Sequence, residues 1–161
     1  MAIKRIVSTE FWTDKKIVEQ FTPEDRLFFL YLLTNPHTTQ LGIYPFITKV
    51  AAFEIGFSAD TISNLIDRFE KYGIIKYSEK SGEIAIKNYL KHSIVKGGKP
   101  VYDLLVKEAG QVKDKHLLEF ILSSNINNLN DTVKNFVSDI MNDNDNDNDN
   151  DDSYHESYHE S

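Results

Sequence analysis

The most explicit catalytic spacing in the chain lies near its C-terminal end. His155, Glu156 and His159 form a His-Glu-x-x-His string, which in zinc proteases holds two imidazoles and a general base on one helix face. Here the string arises because a Tyr-His-Glu-Ser unit is repeated within a polar, low-complexity segment. Such a segment cannot build the dry cleft that the chemistry needs. We therefore predict no protease, and at most weak adventitious metal binding.

Other catalytic patterns are also missing from the sequence. The alternating Asn and Asp residues that begin at Asn142 offer oxygen ligands, but they lack the Gly and the terminal Glu of a calcium loop. No Gly-rich phosphate loop is present, and His37, His92 and His116 are scattered without a neighbouring nucleophile. We predict that the protein is not an enzyme and uses no metal or cofactor.

Charge is distributed unevenly along the chain. Residues 142–161 contain eight acids and no Lys or Arg, so the overall net charge of −7 leaves about +1 for the rest. Residues 71–99 contain seven lysines and only two glutamates, a net charge of +5. Clustered cations suit a phosphate backbone, although lysines also protect exposed strand edges. The predicted DNA contacts are Thr61, Asn64, Arg68, Lys71, Lys76, Lys80, Lys87 and Lys91.

A helix with clear boundaries is predicted to carry part of this surface. Ser58 is a good N-cap, and Gly73 follows the last turn as a residue suited to positive φ. The helix has apolar residues at i, i+3, i+4 and i+7, which places them on one buried face: Ile62, Leu65, Ile66 and Phe69. The residues predicted to face outward are Thr61, Asn64, Asp67, Arg68 and Lys71.

The neighbouring segments complete a recognisable order. A preceding helix is predicted from about Thr48 to Ile55, ending at Gly56. After Gly73 the pattern is typical of two strands, one including Ile74, Ile75 and Tyr77 and one including Ile84, Ile86 and Tyr89, with a turn at residues 80–83. A helix-turn-helix followed by a basic hairpin predicts a winged helix, mainly α with a small β component. Residues 42–46 are predicted to form a short strand that pairs with the hairpin, with Pro45 at an edge.

The remaining chain is predicted to be helical around this centre. Thr22 and Pro23 mark the start of an apolar helix that should be central, with Phe28 and Leu32 in the same core as Ile55 and the stripe. Helices are also predicted at about 14–20, 100–110, 113–122 and 132–141. The expected units are a winged-helix domain with an N-terminal arm (1–92), a helical extension (93–141) and a disordered acidic tail (142–161), which we expect to compete with DNA for the basic hairpin.

Composition limits the setting. The chain has no cysteine, no apolar run of membrane-spanning length and no signal-peptide core, so we predict an intracellular, cytoplasmic protein that is not associated with membranes. Its single Trp, Trp12, is expected to anchor the N-terminal arm on the core. Self-association through Phe11 and Trp12 is the alternative.

Several strings resemble the N-terminal domain of phage replisome organisers, which are related to the DnaD-like primosome proteins of Gram-positive bacteria. The resemblance covers about residues 3–122 and rests on Phe11-Trp12-x-Asp14, the run from Pro23 to Pro36, Gly42-Ile43-Tyr44, Leu65-Ile66-x-Arg68-Phe69, Gly73-Ile74-Ile75 and Lys87-Asn88-Tyr89. The resemblance implies a winged helix that binds duplex origin DNA or forms a homo-oligomer. It also implies a role in delivering the replicative helicase, through contact with the helicase itself or with its loader, in a bacterial host cell and in association with the nucleoid. Family members often carry a second helical domain, and the Asn-Asp tract stands where that domain would begin.

Two other functions fit the same elements. A winged helix can also serve a transcriptional regulator, because a fold does not determine a function. It can also be a scaffold for protein–protein contact without useful DNA affinity. The acidic residues on the outward face of the second helix favour this last interpretation.

Overall fold

The computed structural model describes residues 2–90, 97–123 and 130–148, and the side chains of the last helix to residue 143. This part of the chain is mainly helical and contains one three-stranded antiparallel sheet. A short 3-10 helix covers Thr9–Trp12. The α-helices are α1 (Lys15–Gln20), α2 (Pro23–Thr34), α3 (Thr48–Ile55), α4 (Ala59–Lys71), α5 (Lys99–Gln111), α6 (His116–Leu122) and α7 (Asp131–Asn148), and the strands are β1 (Ile43–Pro45), β2 (Ile75–Ser78) and β3 (Glu83–Ile86).

Helix α4 matches its prediction closely. The Ser58 hydroxyl accepts a hydrogen bond from the Thr61 N–H at 3.1 Å and so caps the helix. Gly73 has φ +74°, as expected for the residue after the C-cap. The predicted apolar stripe of α4 is buried in one cluster with Phe28 and Leu32, while Ile55 is half-buried at its edge. The core prediction is therefore confirmed, with Ile55 less buried than expected.

The sheet has the strand order β1-β3-β2, so the hairpin strand β3 is central. The short strand β1 pairs with β3 as predicted, and Pro45 is exposed on an edge strand, where its missing N–H breaks no ladder. Tyr89 was predicted in the second hairpin strand, but that strand ends at Ile86. Asn88 follows it with φ +62°, which turns the chain out of the ladder.

Each face of the sheet is covered by a separate core. Ile84 and Ile86 of β3 pack with the helices α2 and α4, whereas Ala85 faces a second cluster built largely from α5, α6 and α7. Ala85 and Ile84 are both fully buried, since successive side chains of a strand point to opposite faces. The helical extension therefore shares its core with the sheet and with Leu41, Ile43 and Leu90.

Two helices also have boundaries that differ from the sequence predictions. Helix α6 begins at His116 and not at Lys113, because the N–H groups of Lys113 and Asp114 donate to the buried carboxylate of Glu83. Helix α7 continues to Asn148, so residues 142–148 are helical, where disorder was predicted. Val133, Phe136 and Val137 anchor this helix in the second core, and extending a formed helix is easier than starting one. The rest of the tail, 149–161, lies outside the described residues.

Candidate nucleic-acid interface

The lysines predicted to contact DNA are accessible along the hairpin and the end of α4. Lys71 ends α4, Lys76 lies on the edge strand β2, Lys80 is in the turn and Lys87 follows β3, and all four side chains are exposed. Within the described ranges, none of these four ammonium groups forms an ion pair. Lys91 lies outside the described residues. The hairpin thus presents cations at its tip, its edge and its base.

One glutamate of the basic stretch does not oppose these lysines at the surface. Glu83 is 4% exposed, and its carboxylate accepts hydrogen bonds from the backbone N–H groups of Lys113 (3.1 Å) and Asp114 (2.9 Å). Its negative charge is therefore turned towards the α5–α6 connection and compensated there. Glu83 therefore does not oppose the hairpin lysines at the surface.

The same connection brings one acid to the hairpin tip. The Ser78 hydroxyl donates to the Asp114 carboxylate at 2.6 Å, which lowers the pKa of Asp114, and Lys80 contributes a smaller electrostatic effect in the same direction. Asp114 therefore stays charged near Lys80 and partly offsets it. Helices α5 and α6 also cover one face of the sheet, so only the tip, the edge and the base of the hairpin can approach a nucleic acid.

The outward face of α4 is weakly cationic, as predicted. Asn64, Asp67 and Lys71 are exposed. Thr61 is half-buried, and its hydroxyl lies 2.9 Å from the Ser58 hydroxyl in the N-terminal cap. Asn64 is therefore the amide side chain that α4 presents freely for contact with a base edge.

Arg68 differs from its prediction in orientation. Its guanidinium turns back across the core surface, and Nη2 lies 2.5 Å from Oδ1 of Asp25, which is fully buried at the start of α2. Asp25 also accepts hydrogen bonds from the Thr22 N–H and the Tyr72 hydroxyl. Burial, together with this carboxylate, raises the pKa of Tyr72. Arg68 thus joins α2 to α4. Its side chain is 40% exposed, but its guanidinium is held by Asp25 and does not point freely outward as predicted.

Asp25 lies in the first turn of α2, where an acidic side chain is favourable. Thr22 and Asp25 exchange backbone–side-chain hydrogen bonds in a capping box. The additional role follows from the crossing of two helices that are 43 residues apart in sequence at these positions. A buried carboxylate needs a partner, but the sequence does not indicate which cation supplies it.

The N-terminal arm is anchored by Phe11 and not, as was predicted, by Trp12. Phe11 is 7% exposed and packs against the Phe29 ring, with centroids 5.7 Å apart, whereas Trp12 is 60% exposed and meets Phe11 edge-on. Trp12 is therefore not the anchor. Phe11 is buried in the core, so Trp12 is the member of the predicted oligomerisation pair whose ring is exposed.

The sequence analysis missed an apolar stripe formed by α3 and its N-cap residue, Ile47. Ile47, Val50 and Phe53 are spaced by three residues and share one face, and their exposed fractions are 62%, 37% and 89%. A residue as large as Phe is rarely so exposed without a partner, although single exposed apolar residues are common. The i, i+3, i+6 spacing was the available signal.

Neither a metal site nor a membrane-spanning helix is found among the described residues. The described residues contain no cluster of three or more His, Cys, Asp or Glu side chains able to hold a metal ion, and the His155-Glu156-x-x-His159 string lies outside them. Over the same ranges, no helix combines the length and apolar character needed to cross a membrane.

Comparisons with known proteins add no relative. No protein-family model, no curated protein and no solved structure matches the chain. The resemblance to phage replisome organisers therefore stays a prediction based on the strings quoted above.

Proposed function

We propose that this protein is a replication-initiation module of the phage replisome-organiser type, which binds duplex DNA at an origin through a winged helix. The order helix α2, strand β1, helices α3 and α4 and hairpin β2–β3 supports the winged-helix assignment. The observation that carries the proposal is the exposed set of hairpin lysines, which form no ion pairs among the described residues, in a stretch where Glu83 turns inward. Delivery of a replicative helicase, directly or through its loader, would follow DNA binding.

The charges indicate how DNA would be held. Cations beside a hairpin can contact phosphates on any sequence, whereas base recognition needs Arg, Asn or Gln side chains presented to a groove. Arg68 is engaged with Asp25, so α4 offers mainly Asn64. We therefore expect the hairpin to supply most of the affinity and α4 to add a modest preference for origin sequence.

The test compares the DNA affinity of a variant that lacks two hairpin lysines with that of a variant that lacks two lysines elsewhere. Lys76→Ala with Lys80→Ala should weaken binding to origin and random duplexes equally. It should also flatten the dependence of log K on log salt by about 0.9 for each phosphate that is no longer neutralised. The control, Lys15→Ala with Lys107→Ala, changes the net charge equally at exposed positions on α1 and α5. Fluorescence anisotropy across a salt series measures the affinity and its salt dependence for each variant. Equal slopes for the two double variants would contradict a hairpin interface.

A second candidate function is protein–protein contact through α3. The specific observation is the exposed stripe of Ile47, Val50 and Phe53, which is apolar where the α4 face is polar and partly acidic. We expect Phe53→Ser to reduce self-association or partner binding and to leave DNA affinity unchanged. Sedimentation analysis and anisotropy on the same sample separate the functions. Loss of association without any measurable DNA binding in the parent protein would favour the scaffold function.

A further inference from the structure

A cavity of about 530 Å³ lies beneath the N-terminal arm. It is lined by arm residues 4–8 and by residues 72–74 and 87–89 at the base of the hairpin. Helices α1 and α2 contribute Ile17, Phe29 and Leu33 to the lining. This volume lies in the range of cavities that hold drug-sized ligands.

The walls are held in place by bonds between segments distant in sequence. Arg5 of the arm donates to the Thr38 hydroxyl (2.8 Å) and carbonyl (2.7 Å). The Lys16 ammonium donates to the Tyr72 carbonyl at 2.8 Å. The Tyr89 hydroxyl donates to the Leu33 carbonyl at 3.3 Å. Because these bonds tie the arm, α1 and the hairpin base to the body, the cavity is a built feature of the fold.

Aromatic rings form a quarter of the lining residues. Five of the lining residues are aromatic, and edge-on and stacked contacts between such rings favour a planar aromatic guest. Phe21 and Tyr72 already stack on each other, with centroids 5.5 Å apart. The aromatic lining residues are Phe11, Phe21, Phe29, Tyr72 and Tyr89.

The rim carries cations that the fold does not use. Lys16 and Arg5 are engaged in the bonds above, and the Asp14 carboxylate caps α1 by accepting from the N–H groups of residues 16 and 17. Lys4 and Lys87 are exposed and, among the described residues, have no hydrogen-bond or ion-pair partner for their ammonium groups. Glu10 and Asp14 also line the cavity, so its ionisable residues, four bases and two acids, have a net charge of +2.

We propose that this cavity binds a small aromatic anion, with its rings among the aromatic side chains and its anionic head at the rim between Lys4 and Lys87. The charge of the rim selects an anion over a cation, and the aromatic interior selects a ring system over a sugar or an inorganic ion. The site does not depend on the proposed DNA interface, although Lys87 borders both.

The probe is 8-anilinonaphthalene-1-sulfonate, an aromatic anion, used on the full chain under native conditions. We expect saturable binding to one site with Kd in the range of about 10–100 μM, as the usual ligand efficiency gives for this size. Lys4→Gln with Lys87→Gln should weaken it about 3- to 10-fold, the effect of removing two exposed charge contacts. The neutral analogue N-phenyl-1-naphthylamine should bind more weakly and should not respond to these substitutions.

Matched controls separate the cavity from other surfaces. Lys76→Gln with Lys80→Gln removes the same charge from the hairpin and should leave the probe's Kd unchanged. Phe53→Ser removes the most exposed aromatic side chain of the described residues, on α3, and should also leave it unchanged. Leu33→Trp should fill the cavity and abolish binding. Leu33→Phe is a milder filling variant, and circular dichroism checks that each variant is folded.

The outcomes divide cleanly. Loss of probe binding in the folded Leu33 variants, with sensitivity to Lys4 and Lys87 only, supports the site. Binding that disappears in Phe53→Ser, or that is equal for the anion and its neutral analogue in every lysine variant, overturns it. Absence of saturable binding to the parent protein overturns it as well.

Discussion

Removing the ion pair between Arg68 and Asp25 tests which residues of α4 are available to DNA. Arg68→Met keeps most of the aliphatic side chain but leaves the Asp25 carboxylate buried without its cation. Two hydrogen bonds to that carboxylate remain, from the Thr22 N–H at 3.1 Å and the Tyr72 hydroxyl at 3.4 Å. The variant therefore isolates the guanidinium from the cap.

The expected cost follows from the exposure of the two partners. Breaking a fully buried ion pair by removing one partner costs about 3–5 kcal/mol. Asp25 is fully buried, but the Arg68 side chain is 40% exposed, so water screens part of the interaction and can enter when the guanidinium is gone. We expect Arg68→Met to lower the free energy of unfolding by about 2–3 kcal/mol, out of the roughly 5–15 kcal/mol typical of a domain.

Urea denaturation followed by far-UV circular dichroism measures this cost. Asp25→Asn also weakens the capping box, so its effect on stability is not that of the ion pair alone. A double-mutant cycle isolates the interaction energy between Arg68 and Asp25, which we expect to be about 1–2 kcal/mol. Asn64→Ala, at an exposed position on the same helix, is the control and should change stability by less than about 0.5 kcal/mol.

DNA binding by the same variants tests the functional consequence. Under conditions where it is folded, Arg68→Met should keep the ratio of origin to random affinity, while Asn64→Ala should narrow that ratio. A coupling near zero, together with loss of origin preference in Arg68→Met, would refute a structural role. Arg68 would then be a residue that contacts bases, as the sequence suggested.

Three further outcomes follow from the fold. Leu65→Ala should cost about 2–5 kcal/mol in urea denaturation because Leu65 is 1% exposed in the first core, and a loss below about 0.5 kcal/mol would show that the stripe is misplaced. Gly42→Ala should be clearly more destabilising than Gly56→Ala, although both glycines have positive φ. A Cβ at Gly42 would lie 2.5 Å from the Tyr89 Cβ, whereas a Cβ at Gly56 would meet open space. Equal melting temperatures of the two variants would contradict this packing. Deleting residues 149–161 removes five acids and should tighten DNA binding, most at low salt, and an unchanged affinity there would exclude competition by the tail.

Local signals in the sequence were sufficient for the elements around α4. The Ser58 cap, the apolar stripe and the two glycines that follow α3 and α4 act within one or two turns, so their consequences can be predicted without a tertiary structure. The hairpin and its pairing with β1 were also predicted, because alternation and turn residues are local. The exposed hairpin lysines follow from the same pattern.

The availability of each side chain for binding depended on contacts across long sequence separations. Arg68 and Lys71 are both cations on α4, yet one is bound to a buried carboxylate 43 residues away and the other is free of ion pairs among the described residues. From the sequence, Glu83 is a negative charge among the hairpin lysines. In the structure its carboxylate is buried and accepts hydrogen bonds from two N–H groups of the α5–α6 connection. A sequence shows which groups carry charge, but a buried charge is stabilised by whichever partner the packing of distant elements brings to it. The cavity beneath the arm likewise exists only because Arg5 and Phe11 hold the arm across the body.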